Sequence, residues 1–191
     1  MGYKHDRDEI LDVAVDLVLD EGLAALTYGR VARRIPISDR TVVYYFPTKD
    51  DLGREVVARI GVRLQDLLES AFGAGPTSAA TRHQRAWPLL TSPEGDRLFA
   101  SLLEIAGGTV RASPSRPDLT GPLVEGWVEW LAMRIDPADP RAGRAAALAT
   151  LAVVDGLLLL RHTGGRDLAE EAAEALGVRP VRDVDPSTPI R

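Results

Sequence analysis

The chain is expected to be all-α, with a small N-terminal three-helix domain followed by a larger helical domain, about nine helices in total. Three observations predict this. Apolar residues recur at three- and four-residue spacing, and no stretch of useful length alternates apolar with polar as a half-buried strand does. Prolines and glycines separate the periodic stretches. Residues that cap helix N-termini, among them Thr27, Ser38, Thr48, Ser92 and Asp139, stand just after those breaks. The 191 residues suffice for one large domain or two small ones, and 45% hydrophobic with 27% charged residues is the composition of a folded, water-soluble protein.

Taken in order, the first helix is expected over residues 8–21. Ile10, Ala14, Leu17 and Val18 form one apolar face, and Gly22 suits the position just past the end. A short helix over 28–34 follows Thr27. Pro36 interrupts it, because proline donates no hydrogen bond and disfavours the α conformation in Ile35. Ser38 opens a second short helix over 39–46, which Pro47 stops. Thr48 with Asp51 has capping-box spacing and opens a long helix over 49–72. Residues 73–76 read as a loop. Further helices are expected over 78–90, with Pro88 near the end, over 93–111 behind Ser92 and Pro93, over 119–135, and over 140–162 behind Asp139 and Pro140. Residues 113–117 form another loop. A last helix, opened by Asp167 and Glu170, is expected to end at Gly177, and residues 178–191 are expected to be a flexible tail.

Composition excludes several functions. There is no cysteine, so disulfides, thiolate metal sites and thiol nucleophiles are absent. The three histidines, His5, His83 and His162, are far apart, and no glycine-rich phosphate loop, metal-ligand spacing or nucleophile with a nearby base is present. No enzyme, cofactor or metal is expected. The start of the chain has no signal-peptide pattern. The longest apolar run, residues 148–160, is shorter than a bilayer and contains Asp155. A cytoplasmic protein without membrane contact is the expectation.

The net charge of −5 argues against a nucleic-acid partner for the chain as a whole. Resolved along the sequence, the sign reverses. Between residues 27 and 49 five bases (Arg30, Arg33, Arg34, Arg40 and Lys49) stand against one acid, Asp39, for a net +4. Residues 1–60 together carry nine bases and eleven acids. Lys4 and Lys49 are the only lysines, so 21 of the 23 bases are arginine, the side chain suited to bidentate reading of guanine edges. Two short helices joined by a tight turn form a helix-turn-helix when each buries an apolar side against a third helix. Val31 and Ile35 supply one side, Val42 and Phe46 the other, and the first helix the third. Arg30, Arg33, Arg34, Arg40, Thr41, Tyr44 and Tyr45 are left facing outward. A surface hairpin with ordinary solvated arginines is the competing reading, against which the caps, the turn and the paired tyrosines agree.

Residues 8–55 resemble the DNA-binding domain of the TetR family of transcriptional regulators. The resemblance lies in Ile10, Ala14 and Leu17, in Glu21 and Gly22, in residues 27–32, in Ile37 and Ser38, in Thr41 and Val42, and in the run from Tyr44 to Leu52. It implies that Thr27, Tyr44 and Lys49 contact the DNA backbone and that Arg40 and Thr41 read bases, with Arg30, Ser38 and Tyr45 completing the DNA-binding set. The sequence departs from the family at two places. Pro36 stands where the family usually has a turn glycine, so the turn must use another conformation. Val43 stands where the family's most regular tyrosine falls, so either a phosphate contact is lost or Val43 makes an apolar contact, such as with a thymine methyl.

The resemblance divides the chain into a DNA-binding domain (residues 1–48), a ligand-binding and dimerisation domain (49–177) and the tail (178–191). It implies a homodimer built from the last two helices, with Leu148, Leu151, Asp155, Leu158, Leu168, Ala172 and Leu176 at the interface. A monomer core is the competing reading for those helices. A pocket is expected among the helices of the second domain, with Trp87, Phe99, Trp127, Trp130 and Met133 as its wall, of which Trp127 and Trp130 share a face. His83, Arg111, Arg161 and His162 are candidates for polar contacts in that pocket, with a surface position as the competing reading. The expected function is a ligand-responsive repressor that binds a near-palindromic double-stranded operator as a dimer and is released by an apolar or aromatic small molecule. A helical small-molecule-binding protein with weak or lost DNA binding is the alternative, which Pro36 and Val43 keep open.

Overall fold

A computed structural model of the chain describes residues 6–72, 78–110, 120–135 and 139–179. Among these residues there are nine α-helices, one 3-10 turn and no strand. The first helix, α1 (Arg7–Glu21), opens at Asp6, whose carboxylate accepts the Glu9 N–H at 2.8 Å. It closes at Gly22, whose φ of 81° lies in the left-handed region that glycine enters without a Cβ clash. The 3-10 turn (Leu23–Ala25) leads to α2 (Tyr28–Arg34) and α3 (Asp39–Tyr45). The end of α3 falls one residue before the expected Phe46, because Pro47 pushes Phe46 out of the helical conformation. The Phe46 ring is instead fully buried.

The long α4 (Lys49–Phe72) opens on the expected cap. Asp51 N–H donates to Thr48 Oγ1 at 3.0 Å, and that hydroxyl donates to the Asp51 carboxylate at 2.6 Å. Behind it lie α5 (Ala79–Leu90), α6 (Pro93–Val110), α7 (Gly121–Ile135), α8 (Pro140–Gly164) and α9 (Arg166–Ala175). Ser78, Ser92 and Asp139 cap α5, α6 and α8 through their side-chain oxygens. Pro88 is held within the last turn of α5. The expected cap of α9 is not formed. Gly165, at a φ of 97°, turns the chain straight from α8 into Arg166, with no side-chain cap. The expected loops 73–76 and 113–117, and Arg111, lie outside the described residues.

The fold extends past the expected boundary at residue 177. Gly177 takes a φ of 68°, its N–H donates to Glu174 C=O, and Val178 N–H donates to Ala173 C=O. This pairing is the Schellman helix end, and the apolar residue after the glycine, Val178, is buried. Arg179 pairs with Glu170 and Glu174. The rest of the expected tail lies outside the described residues.

One apolar core runs through both parts. Ile10, Ala14, Val31, Val42 and Phe46 bury the faces of α1 to α3 against Leu52 and Val56 of α4, and Ile60, Leu64 and Leu68 carry α4 on into the larger part. There α4 packs on α5, α6 and α7. Gly61 permits the approach of α7, since a methyl group there would lie 2.5 Å from Leu123 Cδ1. Helix α8 packs between α7 and α9. As a whole it is long and apolar enough to cross a membrane, although its apolar run is shorter. Its buried stripe (Gly143, Ala147, Leu157, Leu158 and Arg161) faces the protein, while Ala149, Ala152, Gly156 and Leu159 are exposed.

Candidate nucleic-acid interface and internal cavity

The departure at Pro36 has a simple local solution. Ile37 N–H donates to Ile35 C=O at 2.8 Å across Pro36, a three-residue turn that proline's fixed φ allows. No residue of the turn has positive φ, so a glycine is not needed. The two helices are then tied together at their ends. Tyr28 O–H donates to Phe46 C=O at 3.0 Å, joining the start of α2 to the end of α3. Burial, with the charges of Asp51 and Asp50 nearby, raises the Tyr28 phenol above its ordinary range and keeps it a donor. Gly29 lies against Asp39, whose Oδ2 would be 3.2 Å from a methyl group at that position.

The caps hold the expected contact residues in place. Thr27 and Ser38 accept the N–H groups of Arg30 and Thr41, each at 3.3 Å, and Ser38 Oγ shares a further hydrogen bond with Thr41 Oγ1 at 3.1 Å. On the outer face of α3, Arg40, Val43 and Tyr44 are exposed. Tyr44 is 79% exposed and meets Tyr45 edge to face at 5.1 Å. Lys49 is exposed at the first residue of α4, where the helix dipole favours an anion. Neither Arg40 nor Lys49 has an ion-pair partner among the described residues.

The charge window from 27 to 49 does not survive folding intact. Glu21 accepts a hydrogen bond from Arg30, and Arg34 donates to Asp20 at 2.8 Å and to Glu21 at 2.7 Å. The Arg34 hydrogen bond holds Asp20 below the usual carboxylate range. Arg33 folds back on its own helix, with Nε donating to Gly29 C=O at 2.9 Å. The two acids end α1, only six residues before the window begins, and α1 lies alongside α2. The positive face therefore narrows to Arg40, Lys49 and the guanidinium end of Arg33, with Arg30 and Arg34 held against α1.

The larger part contains a half-open cavity of about 280 Å³. Its wall is built from helical stripes: Leu64, Leu68 and Phe72 of α4; Arg82, His83, Ala86 and Leu90 of α5; Phe99, Leu102, Leu103 and Ala106 of α6; Leu123, Trp127 and Leu131 of α7; and Leu148, Leu151, Asp155 and Leu158 of α8. Of the expected wall, Phe99 and Trp127 are there. Trp87 is buried in the core beside it. Trp130 stands off the cavity between Phe72, edge to face at 5.1 Å, and the Arg134 guanidinium, 4.0 Å from its ring centre. Met133 faces outward, 64% exposed. His83, offered as a polar contact of the pocket or a surface group, lines the cavity. Of the expected interface, Leu158 is fully buried against the cavity, Leu151 lines it half-buried, and Leu148 and Asp155 line it while remaining exposed on α8. Leu168 and Leu176 of the expected interface are exposed and Ala172 half-buried. The signal for His83 was present in the spacing of His83, Ala86 and Leu90, which puts all three on one face of α5.

Arg161 is buried, and its guanidinium forms a two-point pair with Asp96 at 2.8 and 2.7 Å that fastens α8 to α6. His162, on the same turn of α8, is exposed, and its Nδ1 lies 2.8 Å from Leu158 C=O. The two parts of the molecule meet along α6. Glu104 Oε1 accepts the Leu23 N–H at 3.1 Å, and Arg97 lies 3.4 Å from Asp20.

The structure is a helix-turn-helix with an exposed second helix, joined to a helical part with an apolar cavity. Residues 10–62, the helix-turn-helix and the start of α4, match the family model of the bacterial regulatory proteins, tetR family. That family consists of transcriptional regulators, not enzymes. The chain is similar over its length to solved structures. A TetR-family transcriptional regulator from Rhodococcus sp. is 21% identical with a TM-score of 0.70, covering 90% of this chain and 96% of that one. A transcriptional regulator from Saccharomonospora viridis in complex with choline is 22% identical with a TM-score of 0.64, covering 89% and 92%. The multidrug binding protein EbrR complexed with imidazole is 22% identical with a TM-score of 0.65, covering 95% and 99%. No curated protein matches the sequence.

Proposed function

We propose that the chain is a cytoplasmic, homodimeric repressor that binds a near-palindromic operator through α3 and is released by a small apolar molecule in the cavity. The observation that carries this reading is the joining of the two sites. Helix α4 bears Lys49 at one end and cavity wall at the other, and α6 bears cavity residues next to Glu104, which holds the Leu23 N–H of the DNA-binding domain. A ligand that prefers one arrangement of α4 and α6 then weakens DNA binding by the factor by which DNA weakens ligand binding. Two regulators of similar fold, in complex with choline and with imidazole, support a small-molecule site.

The surface supports a dimer. Helix α8 leaves Ala149, Ala152, Gly156 and Leu159 exposed, and Leu168 of α9 and Leu176 just past its end are exposed as well, apolar positions that include small residues allowing close helix approach. A second copy packed there gives the two-fold symmetry that reading two half-sites requires. The test is selection of bound duplexes from a random pool, followed by a salt titration of affinity. A palindromic consensus with half-sites about one helical turn apart, or somewhat more, and a steep salt slope are expected. The second reading, a ligand-binding protein with lost DNA binding, is favoured by the pairing of Arg30 and Arg34 with Glu21 and Asp20. A flat salt slope with no selected sequence would establish it.

A further inference from the structure

We propose that the cavity ligand is an apolar monocation, an aryl or alkyl amine in its ammonium form, with Asp155 as its counter-charge and His83 Nε2 as a hydrogen-bond acceptor. This deepens the proposed function and rests on it for the role of the cavity as effector site.

The cavity wall holds one acid, Asp155. Helices α4, α6 and α7 bring no charged group to the wall. The titratable residues are Arg82 and His83 from α5 and Asp155 from α8. Arg82 is already engaged. Asp155 is exposed on α8 and also lines the cavity; the apolar side chains around its carboxyl push its pKa up to about 6. An ionised carboxylate in such a place is costly until an opposite charge joins it. An ammonium group supplies that charge together with N–H donors.

His83 offers a second fixed partner. Its Nε2 is buried and has no hydrogen-bond partner among the described residues. Burial, then the Arg82 charge, hold the imidazole below its ordinary pKa, so at neutral pH one ring nitrogen is a free acceptor. The rest of the wall is mostly aliphatic, with Thr120 and Thr150 and with the rings of Phe72, Phe99 and Trp127 to cover an aryl body or face the cation. A volume of about 280 Å³ suits one ring and a short chain. A carboxylate ligand would place a second negative charge in the same apolar space as Asp155.

The test compares three ligands of one shape on the full chain at neutral pH: 4-phenylbutylamine, 4-phenylbutanol and 4-phenylbutanoate. Binding is followed by tryptophan fluorescence and by calorimetry. The amine is expected to bind about tenfold or more tighter than the alcohol, the value of one charge-assisted hydrogen bond, and the acid more weakly than either. Asp155→Asn is expected to remove the preference of the amine over the alcohol. Equal binding of amine and alcohol, preference for the acid, no binding of the amine, or an undiminished preference in the variant each overturns the proposal. Should the variant not fold, the wild-type ratio of amine to alcohol decides alone. DNA release is measured in parallel on the selected duplex. An amine that binds with the expected preference and leaves DNA bound overturns the repressor reading and leaves the ligand class standing.

Discussion

Glu104 of α6 holds the backbone N–H of Leu23 at 3.1 Å, and the same carboxylate lies over Gly22 so closely that a methyl group there would be 2.9 Å from Oε2. The contact spans 81 residues and connects a helix of the cavity wall to the end of α1. Glu104→Ala is expected to cost about 1 kcal/mol of stability, one net hydrogen bond to a charged acceptor. More specifically, it should shrink the effector-induced loss of DNA affinity while changing the affinity of the free protein by less than about threefold. Fluorescence anisotropy with and without ligand measures both quantities. Full coupling in the variant would remove Glu104 from the path.

Glu21 neutralises Arg30 and shares Arg34 with Asp20. Glu21→Ala should therefore free Arg30, tighten DNA binding, and steepen the slope of log affinity against log salt by about 0.9, the value for one more phosphate contact. An unchanged slope would mean that Arg30 does not face the duplex.

Arg40 and Lys49 are both exposed and without an ion-pair partner among the described residues, but they sit at different places. Lys49 at the α4 N-terminus should act on phosphate, so Lys49→Ala weakens all sequences alike and lowers the salt slope by about 1. Arg40 on the outer face of α3 should act on a base edge, so Arg40→Ala costs about 1–3 kcal/mol on the preferred operator and relaxes one position of the selected sequence. Identical profiles for the two variants would contradict this division.

Arg161 and Asp96 are unequal partners, since the arginine side chain is 6% exposed and the aspartate 32%. Removing Asp96 strands the buried charge, so Asp96→Ala should cost on the order of 3–5 kcal/mol and Arg161→Leu clearly less. The Arg161 hydrogen bond holds the Asp96 carboxyl below its ordinary range. Its contribution is then complete above about pH 4 and lost as pH falls through the lower folded value. Denaturant melts of the wild type and Asp96→Ala should converge in that acid range. A constant difference down to about pH 2 would count against the pair.

Asp155 works in the opposite sense. Its folded pKa of about 6 exceeds the unfolded value, so the fold binds its proton more tightly, and stability falls as pH rises from about 4 to 6. Asp155→Asn should melt higher than the wild type above about pH 6, and the difference should vanish toward pH 4. A saturating ammonium ligand should reduce the same difference at neutral pH. Thermal melts across that range check the sign.

Much of the fold was legible in the sequence because helix boundaries are local events. Ser38, Thr48, Ser92 and Asp139 cap where their side chains and the following residues dictate, and Gly22 takes the positive φ that only glycine takes cheaply. The misplaced end of α3 and the uncapped start of α9 depend on single neighbouring residues, Pro47 and Gly165. The wall of the cavity was harder to read. Trp87, Trp127 and Trp130 are equally apolar in sequence, and only the directions in which α5 and α7 face their neighbours separate core, cavity wall and the half-buried site between Phe72 and Arg134.

The sequence alone determined the all-α class, the order of the helices and the helix-turn-helix, because spacing, capping and proline placement act within a few residues. Tertiary structure decided which charges and which apolar faces are free. Asp20 and Glu21 reach Arg30 and Arg34 because α1 packs beside α2, which reduces a positive window of five bases to a narrower face. Leu148, Leu151, Asp155 and Leu158 line a cavity because α8 turns that side toward α5 and α6. Electrostatics and burial act through space, and residues distant along the chain set their sign.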